Sequence, residues 1–135
     1  MFKKYVIIII VFVIYAAASI VFLNHLGNQH GLILTLFTPE LQRASDDFYS
    51  EYLSDNPSVA NYSGRIIDIH RTKQGYNIKI GIEPYLGPHY PVGYDEAEFL
   101  IDNVGTITLL SFSHKKNFEI PSRLGVTIKK PIPIS

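Results

Sequence analysis

Residues 76–83 read Tyr-Asn-Ile-Lys-Ile-Gly-Ile-Glu, and their alternation decides the fold. Tyr76, Ile78, Ile80 and Ile82 point one way and Asn77, Lys79, Gly81 and Glu83 the other, the period-two pattern of a strand with one buried face. Upstream, Gly64–Arg71 reads as a strand with Ile67 and Ile69 on one face, and Lys73-Gln74-Gly75 turns the chain. Downstream, Gly87–Asp95 (GPHYPVGYD) holds two prolines and two glycines and reads as a long loop. Glu96–Asp102 is a third strand with Ala97, Phe99 and Ile101 inward. Asn103-Val104-Gly105 is a turn, and a fourth strand runs from Thr106 to about His114. Connections this short favour an antiparallel meander.

Ahead of the strands, Gly31–Phe37 is a short apolar run, and Thr38-Pro39-Glu40 has the form of a helix start, with Thr as cap and Pro in the first turn. Leu41, Ala44 or Ser45, Phe48 and Tyr52 then form one apolar stripe, ending near Leu53 before Asp55-Asn56-Pro57. Asp46, Asp47 and Glu51 fall off the stripe; a solvated helix face accounts for them better than acid–base chemistry does. The expected fold is α+β: an amphipathic helix on a four-stranded antiparallel meander, cystatin- or NTF2-like in general architecture.

The amino-terminal segment sets the address. Residues 5–23 (YVIIIIVFVIYAAASIVFL) carry no charge. At about 1.5 Å per helical residue they nearly match a hydrocarbon core. Lys3 and Lys4 precede this run and no Lys or Arg follows until Arg43. That asymmetry predicts a single-pass anchor with a cytoplasmic start and an extracellular carboxyl-terminal domain. The rival is a cleaved signal peptide, with Ala16-Ala17-Ala18 as the small-residue stretch and a secreted product. The expected layout is an anchor or signal over 1–23, a polar linker over 24–30 (NHLGNQH), a domain over 31–116 and a tail over 117–135. His25 and His30 read as solvated linker residues.

The chain has 135 residues, 12 basic and 12 acidic side chains and no cysteine. Disulfide scaffolds, thiol catalysis and cysteine zinc sites are thereby excluded. Zero net charge with few basic clusters argues against nucleic acid as a partner. Residues 24–114 carry five basic side chains against eleven acids, and residues 115–135 carry five against one. The basic tail contains Pro121, Pro131 and Pro133, so it is expected outside the sheet. Phe118 and Ile120 are expected to pack on the acidic body, with the residues beyond Val126 loose.

Three stretches resemble the bacillar family catalogued as domain of unknown function 3888: TPELQRASDDFYSEY, GRIIDIHRTKQGYNIKIGIEPYLGPHYPVGYDEAEF and SFSHKK. The family pattern has an apolar helix start with Pro and a strand ending in a basic pair, here His70-Arg71. A loop of the form G-x-H-x-P with a Gly and an acid follows, and a Lys or Ser beside a His closes the fourth strand. Gly87, His89, Pro91, Gly93, Asp95 and His114 fit. The loop is one residue shorter than usual, Val92 stands where a second Pro is common, and Glu98 replaces a hydroxyl residue. The resemblance implies a secreted or membrane-anchored protein of a Gram-positive cell, and it supplies no activity.

In a meander, the loop before strand three and the finish of strand four share one end of the sheet. His89, His114, Asp95 and Glu96 are therefore expected at that end with Tyr85, Tyr90 and Tyr94, while His70 lies at the other. His89, His114, Tyr90, Tyr94 and Asp95 are the candidate binding residues. The bland reading has both histidines holding the proline-rich loop by hydrogen bonds. The sharper one makes His89, His114 and Asp95 a metal site, or an acid–base set. No nucleophile motif or phosphate-binding glycine loop accompanies them. The expectation is a membrane-anchored, non-enzymatic module at the cell surface, without a cofactor, binding a surface protein or an anionic wall polymer. The alternative is a small metal-binding or hydrolytic extracytoplasmic enzyme using His89 and His114.

Overall fold

The computed structural model describes residues 2–135; Met1, counted in the expected anchor, lies outside the described residues. The chain divides into two units, Met1–Leu32 and Ile33–Ser135. One helix, α1 (Phe2–Tyr49), runs through the boundary.

Within the first unit, the apolar side chains from Tyr5 to Leu23 are solvent-facing almost throughout. The helix is long and apolar enough to cross a membrane, by length and composition near the amino terminus, a property single-pass anchors share with signal sequences. The expected polar linker, residues 24–30, is helical instead. It holds no proline, and extending a helix already nucleated costs little per residue. Gln29 Nε2 also reaches His25 Nε2 one turn away at 3.1 Å.

The expected helix start at Thr38-Pro39 is likewise corrected: Pro39 lies inside α1. Thr38 is no cap; its Oγ1 donates back to the Leu34 carbonyl at 2.8 Å. The apolar stripe overrides the proline, because it begins a turn earlier. Leu34, Phe37, Leu41, Ala44, Ser45 and Tyr49 are all buried at three-to-four spacing. The helix stops at Tyr49, short of Leu53, and the Leu53 amide closes the last turn on the Tyr49 carbonyl at 2.9 Å.

The strands are β1 (Gly64–Arg71), β2 (Gly75–Ile82), β3 (Tyr85–Leu86), β4 (Tyr90–Pro91), β5 (Gly93–Asp102) and β6 (Ile107–Asn117). β1, β2, β5 and β6 form an antiparallel sheet in that order, the expected meander. β3 and β4 form a separate small hairpin whose turn and second strand lie in the expected loop Gly87–Asp95, and β5 takes the end of that stretch, starting at Gly93 rather than Glu96. The protein is α+β, with Leu34, Phe37 and Leu41 of α1 packed on Ile78, Ile80, Ile82, Ala97 and Phe99. Phe37 and Phe99 meet edge to face at 5.2 Å.

One face assignment fails. The β1–β2 register shifts between Ile66 and Asp68, so Ile67 is the extra residue of a bulge and stays 41% exposed. Ile66, opposite Ile80, takes the inward place. Ile69 opposes Ile78 on the core side but, on an edge strand, remains 42% exposed.

The tail is corrected too. Its start does not stay out of the sheet: β6 runs on through Lys115, Lys116 and Asn117, with Lys116 and Asn117 paired to Tyr94 and Gly93. Beyond Asn117 it leaves the sheet, yet it belongs to the second unit along its whole length, including the residues beyond Val126. Ile120, Leu124, Val126 and Ile132 pack on a second core of Tyr49, Leu53, Leu86 and Val92. Leu53 bridges Ile128, the Lys129 amide donates to the Tyr52 carbonyl at 2.7 Å, and the Ser135 amide to the His114 carbonyl at 2.8 Å. Lys130 meets Glu51 at 2.8 Å, so part of the basic tail does face the acidic body.

Candidate functional site

The register places Gly64, Ile82, Asp95 and His114 in one row across the sheet. The candidate residues gather at this end, but they sort into separate groups rather than one site.

The first group is sealed. Asp95 of β5 and His114 of β6 are both 0% exposed, and His114 Nδ1 donates to Asp95 Oδ1 at 2.5 Å. Tyr49, at the end of α1, donates its hydroxyl to Asp95 Oδ2 at 3.0 Å. On the far side of the ring, His114 Nε2 faces Asn117 Oδ1 at 3.0 Å, while the Asn117 amide donates to the Ile132 carbonyl at 3.1 Å. That last bond fixes the Asn117 amide with its oxygen toward the ring. Both ring nitrogens therefore face acceptors, and the geometry calls for an imidazolium.

The electrostatics agree. Burial opposes the charge on His114, but the hydrogen bond and charge of Asp95 outweigh it and hold the imidazole above its ordinary value. Burial raises the Asp95 carboxyl, against the pull of His114 and Tyr49. Tyr49 is pushed far up, first by burial and then by the Asp95 charge, so it stays a donor. Phe48 stacks on the His114 ring at 5.5 Å. Gly93 closes the remaining side: a Cβ there would fall on the Lys116 carbonyl oxygen and 2.5 Å from His114 Cε1. Helix, β5, β6 and tail are thus tied through one buried ion pair.

The second group is exposed. His89 sits at the tip of the β3–β4 hairpin with φ 67°, the single non-glycine residue with positive φ among the described residues. Its Nδ1 meets the Tyr62 hydroxyl at 2.6 Å. Its ring lies 4.9 Å from that of Tyr85, and the Tyr62 and Tyr85 rings stack at 6.4 Å. Tyr62 is 66% exposed. A bulky residue held in a sparsely populated backbone conformation at the surface is a recurrent mark of binding sites.

The other candidates line neighbouring positions. The Tyr94 ring lies across bare Gly81, where any Cβ would strike its hydroxyl. Arg65 stacks on that ring at 5.1 Å and donates to the hydroxyl at 3.0 Å. Tyr90 carries the Arg123 guanidinium on its face and accepts a hydrogen bond from it. His70, excluded in the sequence, pairs with Asp68 at 3.0 Å on β1.

The proposed metal set is not assembled: His89 is bonded to Tyr62, whereas His114 and Asp95 are sealed together. Among the described residues no group of three or more His, Cys, Asp or Glu is placed to hold a metal ion. Sequence reasoning missed Tyr49, Tyr62, Arg65, Lys116 and Asn117. For Tyr49 a signal existed, since it continues the stripe through Ser45; for the others alternation alone gives none.

These features define a class: a helix-on-sheet α+β domain with a sealed ion pair inside and an aromatic surface outside. The chain belongs to the family described as "Protein of unknown function (DUF3888)", whose model matches residues 30–116. No curated protein and no solved structure matches the chain.

Proposed function

We propose that this protein is a membrane-tethered, non-enzymatic binding domain displayed outside the cytoplasmic membrane, with the Tyr62–Tyr85–His89 cluster as its recognition surface. The observation that carries this reading is the strained, exposed His89 clasped by two tyrosines. Binding surfaces favour tyrosine because it brings large contact area at low entropic cost. Catalysis is disfavoured by the state of the strongest acid–base candidate: His114 and Asp95 are out of solvent and already saturated with partners. The tether rests on the uncharged run 5–23, and the side on Lys3 and Lys4 ahead of it.

Two measurements on the full chain test the reading. The protein should remain with membranes through carbonate washing, with its carboxyl-terminal unit open to protease from outside. A photo-crosslinking phenylalanine analogue placed at Tyr62 in intact cells should give a discrete adduct, while the same group at Lys73, in the β1–β2 turn, should give none. Release from membranes, or equal labelling from both positions, would defeat it.

A further inference from the structure

Two cations and three aromatic rings converge beside this cluster on the face of the sheet turned away from α1. A groove of about 370 Å³ is lined there by Tyr62, Arg65, Glu83, Tyr94, Lys116 and Phe118, among others. It crosses the strands from Arg65 on β1 to Lys116 on β6. Each cation rides on a ring: Arg65 on Tyr94 at 5.1 Å, and the Lys116 ammonium on Phe118 at 5.2 Å. Among the described residues neither cation forms an ion pair, whereas nearby Glu96 is neutralised by Lys79 at 2.7 Å. Glu83 is the one acid in the lining, so the groove keeps a positive balance. Beyond Tyr62 a second hollow of about 240 Å³ continues past Glu83 to Tyr85 and His89. Tyr62 and Glu83 border both, which makes one continuous strip with an aromatic ridge.

We infer that this strip binds an acidic polysaccharide of the cell surface, its carboxylate or phosphate groups held by Arg65 and Lys116 and its sugar faces laid on the tyrosines. The inference rests on the binding-domain reading and names the ligand class for it. Charge complementarity requires an anion. The position in the sheet selects against a peptide. β2 and β5, which floor the groove, spend their backbone groups on their neighbours. An extended peptide lying across them would find no strand edge to pair with, and its amides would go unmatched. A sugar presents the opposite arrangement: a flat C–H face suited to an aromatic ring, with hydroxyls at the periphery where water and side chains meet them.

The test uses the full chain in detergent micelles and three soluble polymers: polygalacturonate as acidic glycan, dextran as neutral glycan and polyglutamate as acidic peptide. Polygalacturonate should bind, weaken with salt, and exceed each of the others by about tenfold or more. Arg65→Ala, Lys116→Ala and Tyr62→Ala should each weaken it by roughly tenfold, as expected for loss of a charge-assisted or stacking contact. Lys73→Ala, in the β1–β2 turn, should leave it unchanged. Circular dichroism identical to the parent's excludes misfolding of the variants. Equal binding of polyglutamate would reduce the strip to unspecific charge, and equal binding of dextran would remove the role of the cations; either overturns the inference. If no polymer binds but the Tyr62 adduct forms in cells, the binding-domain reading stands and the glycan assignment falls. If neither occurs, both fall.

Discussion

Raising the pH through neutrality should destabilise this fold, and His114 sets the size of the effect. In the unfolded chain its imidazole loses its proton near the ordinary value of 6.5; in the folded chain it holds that proton to higher pH, because Asp95 outweighs the cost of burial. Between those two values the folded state binds one proton more than the unfolded state. The stabilisation is therefore complete below pH 6.5 and is lost as pH rises through the folded value. One proton corresponds to a slope of about 1.4 kcal/mol per pH unit within the window. Asp95, raised by burial, has the same sign. Glu51 and Glu96, lowered first by Lys130 and Lys79, and Asp102, lowered first by the Thr106 amide, act on the acid side of their ordinary values and do not compete. The assay is urea unfolding of the full chain in micelles from about pH 6 to about pH 9. Tyrosine emission suffices, since the chain has nine tyrosines and no tryptophan. His114→Gln, by leaving the Asp95 carboxylate sealed without its counter-charge, should cost about 3–5 kcal/mol near neutral pH. Because Asp95 alone gives a slope of the same sign, the two titrations are separated with Asp95→Asn, in which His114 loses its counter-charge, and with the double variant His114→Gln/Asp95→Asn, which should be flat. Stability of the parent that climbs with pH over this window, or a slope surviving in the double variant, would refute the ion-pair assignment.

Other perturbations separate core from surface. Ile80→Ala, at a fully buried position, should cost about 2–5 kcal/mol in the same unfolding assay, while Lys79→Ala, which removes a partly exposed ion pair with Glu96, should be nearly neutral. Gly93→Ala should lose at least about 3 kcal/mol or fail to fold, because the Lys116 backbone and the His114 ring leave no room for the methyl group. Deleting residues 117–135 should lower the unfolding midpoint and speed amide exchange at Tyr52 and Leu53, since the tail covers the second core; unchanged exchange would show that the tail is not docked.

What could be read from the sequence follows from which forces leave a local trace. The β2 alternation and the short turns fix an antiparallel sheet, and meander topology alone predicts that Asp95 and His114 lie at one end, where they indeed touch. Pro39 misleads because a helix-start signal is local, whereas the stripe from Leu34 to Tyr49 that carries the helix through it is stabilised by the sheet beneath. The Ile67 bulge inserts one residue without altering composition, so a period-two reading puts the wrong isoleucine inside. The tail packs through isolated apolar residues, Ile120, Leu124, Val126 and Ile132, spaced among prolines and lysines with no period to detect. Arg65 meets Tyr94 only because Gly81 is bare between them, and nothing in the sequence links those three positions.

The two outer strands of the sheet share one more property. β1 departs from regular register at Ile67, and the β5–β6 ladder shifts twice, at Tyr94/Asp95 and at Glu98/Phe99, leaving Lys115 and Leu110 of β6 without a partner. Each boundary strand is thereby kinked out of the flat, evenly spaced row of amides that a second sheet needs to dock alongside. The expected consequence is that crowded copies of this domain resist zipping into a shared, fibril-like sheet. That resistance would lie in the backbone path itself, so it should persist when the exposed isoleucines of β1 are exchanged for one another or for valine.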